Sequence, residues 1–314
     1  MYPKDIIADF LKTPHGDVPF FDPTTTSIHV SRMPGYGAEH LIEDWMLSNE
    51  QKLPAVGDYL GFLRRARQQF TQVAEKMGYW NPHSSHSLGH DKWSVGWAGQ
   101  SLLSMAASLY MLKSYGVTGG VLECGVYKGS STACLSWACR ELGVPFYAAD
   151  SFAGLPTNEG HYSAGDFRGS LEEVKRNLSL CGCLENVQFI PGWYAESLKN
   201  FRHPLALIWM DVDLRQSVLD VMENVFGCLD RNGLIFSDGF TVDVDFDGCK
   251  IRDTGGEPSG FVRFFEAHRL AYKAVPAGAK GLALIVPNCL DDEHVIFQPM
   301  SFDFLLSQLD NRQL

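Results

Sequence analysis

The chain has 314 residues, 45% of them hydrophobic, and its formal net charge at pH 7 is −11. This length and apolar content suffice for one large domain, or for one domain with an extension. The acidic balance argues against a nucleic-acid partner, because such proteins concentrate Lys and Arg, and the densest basic group here is Arg64, Arg65 and Arg67.

Hydropathy and cysteine placement indicate the compartment. No apolar run approaches the length of a membrane span, and the start of the chain lacks the basic and then apolar layout of a signal peptide. We therefore expect a cytoplasmic protein without a membrane partner. The eight cysteines mostly lie inside apolar segments, which predicts buried free thiols rather than a disulfide framework.

The N-terminal part of the chain combines an irregular arm with helices. Residues 1–57 are rich in Pro, Gly and Thr, and within them only 38–49 has a helical pattern. Apolar residues at a helical period then predict helices over 58–77 and 99–114. These helices precede the strands of the predicted sheet.

The segment between these two helices contains histidines and tryptophans whose roles the sequence does not decide. His83, His86 and His90 fit a transition-metal site, a substrate lid or base, and an ordinary polar loop. Trp93 and Trp97 fit either a wall for an aromatic or sugar substrate or packing anchors.

Strands and helices alternate from residue 119 onward. The predicted strands are 120–125, 145–150, 186–190, 205–212, 233–238, 272–275 and 281–286. The predicted helices are 129–142, 169–180, 194–200, 215–228 and 258–269. This alternation predicts an α/β, Rossmann-like fold with a mostly parallel sheet, helices on both faces, and a hairpin that makes the last strand antiparallel.

The turn after the first predicted strand is the most informative motif. An apolar run ends in the acid Glu123, and Gly125 and Gly129 follow four residues apart. Gly125 would allow a positive φ or a close approach to a ligand, and Gly129, Ser130 and Ser131 would open the next helix with free N–H groups. The spacing departs from the G-x-G-x-x-G of dinucleotide sites, so NAD is the weaker choice of ligand. An ordinary strand-to-helix corner is the other interpretation.

Acidic residues follow three more predicted strands. Asp150 could accept two hydrogen bonds from a ribose diol, or could cap the next segment. Asp211 and Asp213 end one strand and Asp238 ends its neighbour, where two carboxylates could share a hard cation such as Mg²⁺. All of these acids would gather at the carboxyl edge of the sheet.

Four segments carry a longer resemblance. In order and spacing, Asp150–Pro156, Gly169–Leu178, Phe189–Leu198 and Trp209–Leu214 resemble the macrocin O-methyltransferase family. That family belongs to the class I S-adenosylmethionine-dependent methyltransferases and acts on sugar hydroxyls of macrolides and aminocoumarins. The resemblance covers residues 119–245, and it implies O-methyl transfer to a small molecule, with a sugar or glycosylated natural product as the acceptor.

We expect the chain to divide into two parts, and the resemblance implies a set of cofactor contacts. Residues 99–314 would form the S-adenosylmethionine-binding domain, and residues 1–98 would form an extension that shapes the acceptor pocket. The methionine end would lie near Glu123, the ribose near Asp150 and the adenine near Trp193. The expected contacts are Glu123, Cys124, Gly125, Tyr127, Gly129, Ser130, Ser131, Asp150, Ser151, Phe152, Gly192, Trp193 and Asp211.

For catalysis, the resemblance implies Asp211 as the base and a Mg²⁺ ion held by Asp211 and Asp238. His161, with Tyr162, lies in a predicted lid and is the second catalytic candidate. This chain departs from the paired aspartates of the family, because Gly239 follows Asp238. The candidates for a replacement ligand are Ser237, Asp243, Asp245 or Asp247.

Two rival functions remain open from the sequence. A Rossmann-like oxidoreductase would bind NAD(H) and ignore S-adenosylmethionine. A catalytically degenerate methyltransferase fold, suggested by Gly239, would bind the cofactor without turnover. Members of the resembling family often assemble, so a homo-oligomer is a further expectation, with no symmetry indicated.

Overall fold

The computed structural model describes residues 20–22, 27–29, 51, 54–77, 95–114, 116–248, 250–276 and 281–287. The predicted helix over 38–49, the three histidines at 83, 86 and 90, and Trp93 lie outside these ranges. Trp97 falls in a described helix, but its side chain does not belong to the described part.

The described N-terminal elements are a short hairpin and two long helices. Strands β1 (Phe20–Asp22) and β2 (Ser27–His29) pair antiparallel. Helices α1 (Pro54–Lys76) and α2 (Val95–Ser114) confirm both predicted helices and begin a few residues earlier than expected. Pro54 is compatible with the first helical position, because the N–H that proline lacks has no partner in the first turn.

The described residues then form a seven-stranded sheet in the order β10–β11–β7–β6–β3–β4–β5. Its strands are β3 (Gly120–Cys124), β4 (Phe146–Asp150), β5 (Val187–Pro191), β6 (Leu205–Met210), β7 (Leu229–Phe240), β10 (Tyr272–Pro276) and β11 (Gly281–Pro287). Strands β3 to β7 pair in parallel, and β11 runs antiparallel to both of its neighbours. The predicted α/β class and the antiparallel last strand are confirmed.

Helices connect these strands on both faces of the sheet. They are α3 (Ser130–Leu142), α4 (Leu171–Cys181), α5 (Tyr194–Ser197), α6 (Arg215–Val225), α7 (Val242–Asp245) and α8 (Gly256–His268). Between α7 and α8 lies a small antiparallel pair, β8 (Phe246–Asp247) and β9 (Lys250–Ile251).

Two hydrophobic cores lie on opposite faces of the sheet. Along β3, Val121 belongs to the core beneath α1, α2 and α3, whereas Leu122 and Cys124 belong to the core beneath α6 and α8. The alternation follows from the two-residue period of a strand, and it explains why strands covered on both faces are nearly all apolar. Helix α1 shares the first core through Phe62 and Phe70, whose rings contact Trp137 of α3.

Several element boundaries differ from the prediction, among them those of β6, β7 and α6. Strand β6 ends at Met210 rather than at residue 212, because the chain turns at Asp211. Strand β7 begins at Leu229 and runs to Phe240, since β6 pairs with its start and β11 with its end. Helix α6 ends at Val225 and a 3₁₀ turn, Phe226–Cys228, follows it, which is consistent with the low helix propensity of glycine at 227.

The predicted free thiols are confirmed for the six cysteines in the described residues. Cys124, Cys134, Cys139, Cys181 and Cys183 are buried, Cys228 is partly buried, and all six are free. Among the described helices, none combines the length and the hydropathy needed to cross a membrane.

Candidate active site

The turn after β3, residues 125–129, is called the glycine turn, and the turn after β6, residues 211–214, is called the Asp211 turn. The two turns lie directly against each other. Gly125 has φ of 94°, and a Cβ at this position would lie 1.8 Å from the carbonyl oxygen of Asp211. Next to it, the Asp211 N–H donates to the carbonyl of Cys124 at 2.9 Å. Only glycine fits here, because both the space and the left-handed backbone exclude a side chain. The Cys124 thiol itself is buried in the core beneath α6 and α8.

Gly129 allows α3 to begin close to α4. Its φ is 87°, and a Cβ would lie 2.8 Å from Cδ1 of Leu178 and 3.0 Å from Cγ1 of Val174. Ser130 then starts α3, whose first N–H groups have no partner within the helix. Such a helix start attracts a carboxylate or phosphate group.

Glu123 supplies a buried acceptor at the same edge. Its side chain is fully buried, and Oε1 accepts a hydrogen bond from the Ser131 hydroxyl. Oε2 has no hydrogen-bond partner among the described residues. Burial raises the pKa of Glu123 to about 8. An unpaired buried oxygen of this kind is suited to a cation such as an ammonium group.

Asp150 holds the glycine turn in place. Its Oδ2 accepts hydrogen bonds from the N–H groups of Val126 at 2.7 Å and Tyr127 at 3.2 Å, and Oδ1 accepts from the Phe152 N–H at 2.6 Å. Burial raises the pKa of Asp150, and the three N–H groups oppose that rise. Each carboxylate oxygen can accept a second hydrogen bond, so Oδ1 keeps capacity for a ribose hydroxyl.

We expect Asp150→Ala to lower the free energy of unfolding by about 3 kcal/mol, because one buried and two partly buried N–H groups lose a charged acceptor. Ligand affinity at the glycine turn should fall as well. Urea denaturation and titration with S-adenosylhomocysteine measure the two effects. Asp150→Asn keeps one acceptor oxygen and serves as the control, with an intermediate loss. Wild-type stability in the alanine variant would show that Asp150 does not hold the turn.

The segment after Asp150 forms the neighbouring wall. The Ser151 hydroxyl donates to the carbonyl of Gly154 at 2.9 Å and accepts from the Ala153 N–H at 3.0 Å, so it closes a turn. Phe152 lies with its ring centroid 6.3 Å from that of Phe189. At the end of β5, Gly192 (φ 128°) precedes Trp193, whose side chain is 42% exposed. This exposed indole presents a flat apolar face at the predicted adenine side.

Four carboxyl groups meet beyond the glycine turn, at the ends of β6 and β7. Burial, and then repulsion from Asp238 and Asp213, raises the pKa of Asp211 well above its usual value. Burial also raises the pKa of Asp213 and that of Asp238, each to about 6. The fourth carboxyl group belongs to Glu257 of α8, and burial raises its pKa well above the usual range.

Glu257 was not predicted as a site residue from the sequence. An acid in the first turn of a helix is common, because it interacts favourably with the helix dipole. Here it is instead 2% exposed and lies at the carboxyl edge of the sheet. A Cβ on Gly239 would lie 3.7 Å from Cδ of Glu257.

The loop over residues 151–169 lies next to the four carboxyl groups at the ends of β6 and β7. Its residues Glu159 and Tyr162 form an antiparallel bridge, and the Tyr162 side chain lies near the Asp213 carboxylate. Burial, followed by the charge of Asp213, raises the pKa of Tyr162. His161 is exposed and its ring centroid lies 4.0 Å from that of Tyr162. The loop therefore places both Tyr162 and His161 near Asp213.

The residues suggested to compensate for Gly239 are largely engaged elsewhere. Asp245 accepts hydrogen bonds from the Thr241 N–H at 2.6 Å and from the Thr254 hydroxyl. Asp247 is exposed and lies 3.8 Å from Arg252, and Ser237 hydrogen-bonds Glu257. Within the described ranges, no group of three or more His, Cys, Asp or Glu side chains is arranged to hold a metal ion. The side chain of Asp243 lies outside the described residues.

Comparison with known proteins supports the sequence resemblance. A protein of Streptomyces olivaceus, 8-demethyl-8-(2,3-dimethoxy-alpha-L-rhamnosyl)-tetracenomycin-C 4'-O-methyltransferase, is 31% identical over 145 residues, which cover 41% of this chain and 56% of that protein. Demethyldecarbamoylnovobiocin O-methyltransferase of Streptomyces niveus is 30% identical over 140 residues, covering 40% and 53%. The chain thus spans about half the length of the curated relatives it matches.

Among solved structures, the O-methyltransferase NovP is similar at 22% identity and a TM-score of 0.49, covering 59% of this chain and 78% of that one. The family model described as Macrocin-O-methyltransferase (TylF) matches residues 62–251, more than half of the chain. This range contains the glycine turn, Asp150, and the carboxylates at the ends of β6 and β7. The protein is therefore a member of the macrocin O-methyltransferase family.

Proposed function

We propose that this protein transfers a methyl group from S-adenosylmethionine to a hydroxyl of a glycosylated small molecule. The observation that carries the proposal is the contact between the glycine turn and the Asp211 turn, made by the hydrogen bond from the Asp211 N–H to the Cys124 carbonyl. It joins the predicted cofactor-binding loop to the carboxylates that would act on an acceptor. Both curated relatives are named as O-methyltransferases, and the name of the first specifies a rhamnosyl compound.

The residues at the edge of the sheet fit the parts of the cofactor. Oε2 of Glu123 is buried, is unpartnered among the described residues, and suits an ammonium group. The start of α3 at Ser130 suits the carboxylate of the methionine part. Asp150 and the exposed Trp193 suit the ribose and the adenine, respectively. When bound, S-adenosylmethionine supplies a methyl group that is already activated for transfer.

The protein then has to position the acceptor oxygen and remove its proton. We assign the role of proton acceptor to Asp211, as the family resemblance implies, because the hydrogen bond from its N–H to the Cys124 carbonyl places it beside the glycine turn. His161 in the loop over residues 151–169 is the second candidate. Mg²⁺ is proposed at Asp211 and Asp238, since this ion often uses only one or two protein carboxylates, with water and substrate as further ligands. A cation there would offset the repulsion between the two acids.

Calorimetric titration of S-adenosylmethionine and S-adenosylhomocysteine tests the proposal, with NADH as the control and with Mg²⁺ added or chelated. Turnover is then measured with rhamnosylated polyketide and aminocoumarin acceptors. Micromolar binding of a sulfur ligand with turnover supports the proposed function. Binding of NADH alone would favour an oxidoreductase, and cofactor binding without turnover would favour a binding subunit.

A pH dependence of cofactor binding should arise from Glu123. Its pKa of about 8 means that it holds a proton at lower pH, whereas an ammonium ligand favours the ionised form. The affinity for S-adenosylhomocysteine should therefore rise by up to about tenfold per unit between about pH 6 and pH 8, with release of a proton at neutral pH. Calorimetry in buffers of different ionisation enthalpy measures this release. Glu123→Gln should remove that part of the slope, and an unchanged slope would contradict the role of Glu123.

Three further expectations belong to the same proposal. Residues 1–98 would shape the acceptor pocket, and α1 within them shares the core beneath α2 and α3. The protein would be cytoplasmic, without a nucleic-acid or membrane partner. It would also be able to form a homo-oligomer.

A further inference from the structure

Glu257 joins two strand ends that are far from it in the sequence. Its Oε1 accepts hydrogen bonds from the N–H groups of Val212 at 2.6 Å and Asp213 at 2.8 Å. Its Oε2 hydrogen-bonds the hydroxyl of Ser237, which is fully buried. One carboxyl group thus connects the turn that follows β6 with the end of β7.

The turn after β6 depends on such a partner. Asp213 has φ of 61°, a left-handed conformation that residues other than glycine adopt infrequently. The N–H groups of Val212 and Asp213 lie beyond the end of β6 and have Glu257 as their acceptor, and a buried N–H without an acceptor is costly. A single oxygen of Glu257 accepts from both N–H groups. The position of Glu257 therefore determines the path of the chain beyond Asp211.

The packing of α8 brings this carboxyl group to the turn. A Cβ on Gly256 would lie 3.1 Å from the carbonyl oxygen of Asp213, so the start of α8 lies against the turn itself. On the other side, a Cβ on Gly239 would lie 3.7 Å from Cδ of Glu257. The carboxyl group of Glu257 therefore lies beside the position where a side chain at residue 239 would begin.

We propose that Glu257 is a positioning residue, which holds the turn containing Asp211 and Asp213 against the end of β7 and so aims the carboxylates at the acceptor. This inference rests on the proposed function for its link to catalysis. The inference that Glu257 positions the turn depends only on the three hydrogen bonds.

Four variants separate positioning from general stability. Glu257→Ala removes all three hydrogen bonds. Glu257→Gln retains them, since the amide oxygen accepts from both N–H groups and the amide nitrogen donates to Ser237. Ser237→Ala removes only the link to β7. Glu266→Ala, on the exposed side of the same helix, is the matched control.

Hydrogen exchange of the peptide that contains the Val212 and Asp213 amides is the first measurement. Glu257→Ala should speed this exchange by about tenfold or more, while Glu257→Gln and Glu266→Ala stay within about threefold of wild type. Ser237→Ala retains Glu257 as the acceptor of both N–H groups, so the two amides should remain protected in this variant as well. Exchange in Glu257→Ala as slow as in wild type would overturn the proposal. If that variant does not fold, loss of protection in Glu257→Gln would overturn it instead.

Kinetics and binding are the second measurement. In Glu257→Ala, kcat should fall by about 100-fold, as expected for misplaced groups, while the Kd of S-adenosylhomocysteine stays within about threefold. Glu257→Gln should restore most of kcat. Equal losses in the alanine and glutamine variants would show that charge matters rather than positioning. Lack of turnover in the wild type would count against the proposed function alone, because the exchange rates still decide whether Glu257 holds the turn.

Discussion

An Asp211→Asn variant should lose methyl transfer by about 10³-fold and still bind S-adenosylhomocysteine. A positioned general base contributes about 10²–10⁴ to a rate, and asparagine keeps the shape of the side chain but accepts no proton. The fold should survive, because the backbone N–H of Asp211, not its side chain, bonds the Cys124 carbonyl. Removal of one charge from a group of mutually repelling acids should leave the melting temperature unchanged or raise it.

The measurement is kcat/KM with an accepted hydroxyl substrate, beside calorimetric titration of S-adenosylhomocysteine and a thermal melt. Asp213→Asn is the matched control, since it changes the other carboxylate of the same turn, which lies near Tyr162. We expect a smaller loss from it. If Asp211→Asn retained kcat/KM within about tenfold of wild type, the proton would have to go elsewhere, and His161 would become the candidate.

A Gly125→Ala variant should lose both cofactor binding and much of its stability. The added Cβ would lie 1.8 Å from the Asp211 carbonyl oxygen, so two backbone segments would have to separate. Such overpacking costs about 1–3 kcal/mol, and the left-handed backbone adds about 1–2 kcal/mol for a residue with a side chain. We expect a loss of about 3 kcal/mol or more in the free energy of unfolding.

Gly160→Ala distinguishes the two costs. Gly160 has φ of 60°, but a Cβ there would meet nothing within 4 Å among the described residues. This control should lose only the conformational part, about 1–2 kcal/mol, and should keep its affinity for S-adenosylhomocysteine. Urea denaturation and calorimetry give both quantities. Equal losses in the two variants would mean that the contact between the glycine turn and the Asp211 turn does not stabilise the site.

The order and type of the elements were predictable, because the signals for them are local. The two-residue and 3.6-residue periods of apolar side chains indicate strands and helices without knowledge of any partner. The boundaries that differ have tertiary causes. Strand β7 extends to Leu229 and Phe240 because β6 and β11 pair with its two ends.

The roles of single side chains at the site depend on contacts across the sheet. Asp150 was predicted as a ribose ligand, yet the groups that it bonds in the structure include the N–H of Val126, 24 residues earlier. The acceptor of the Val212 N–H is Glu257, 45 residues later. No sequence period or local spacing connects residues so far apart, so neither hydrogen bond could be predicted from the sequence.

By itself, the sequence of this protein determined its α/β class, its glycine turn, the acids at the ends of its strands, and the family that the turn and acids resemble. These features depend on residue type and local spacing, which can be determined from a single sequence. Only the tertiary structure decided that Asp150 holds the glycine turn, that Tyr162 lies near Asp213, and that Glu257 supports the Asp211 turn. Buried hydrogen bonds of this kind form wherever packing brings a donor and an acceptor together, and packing is a property of the whole fold.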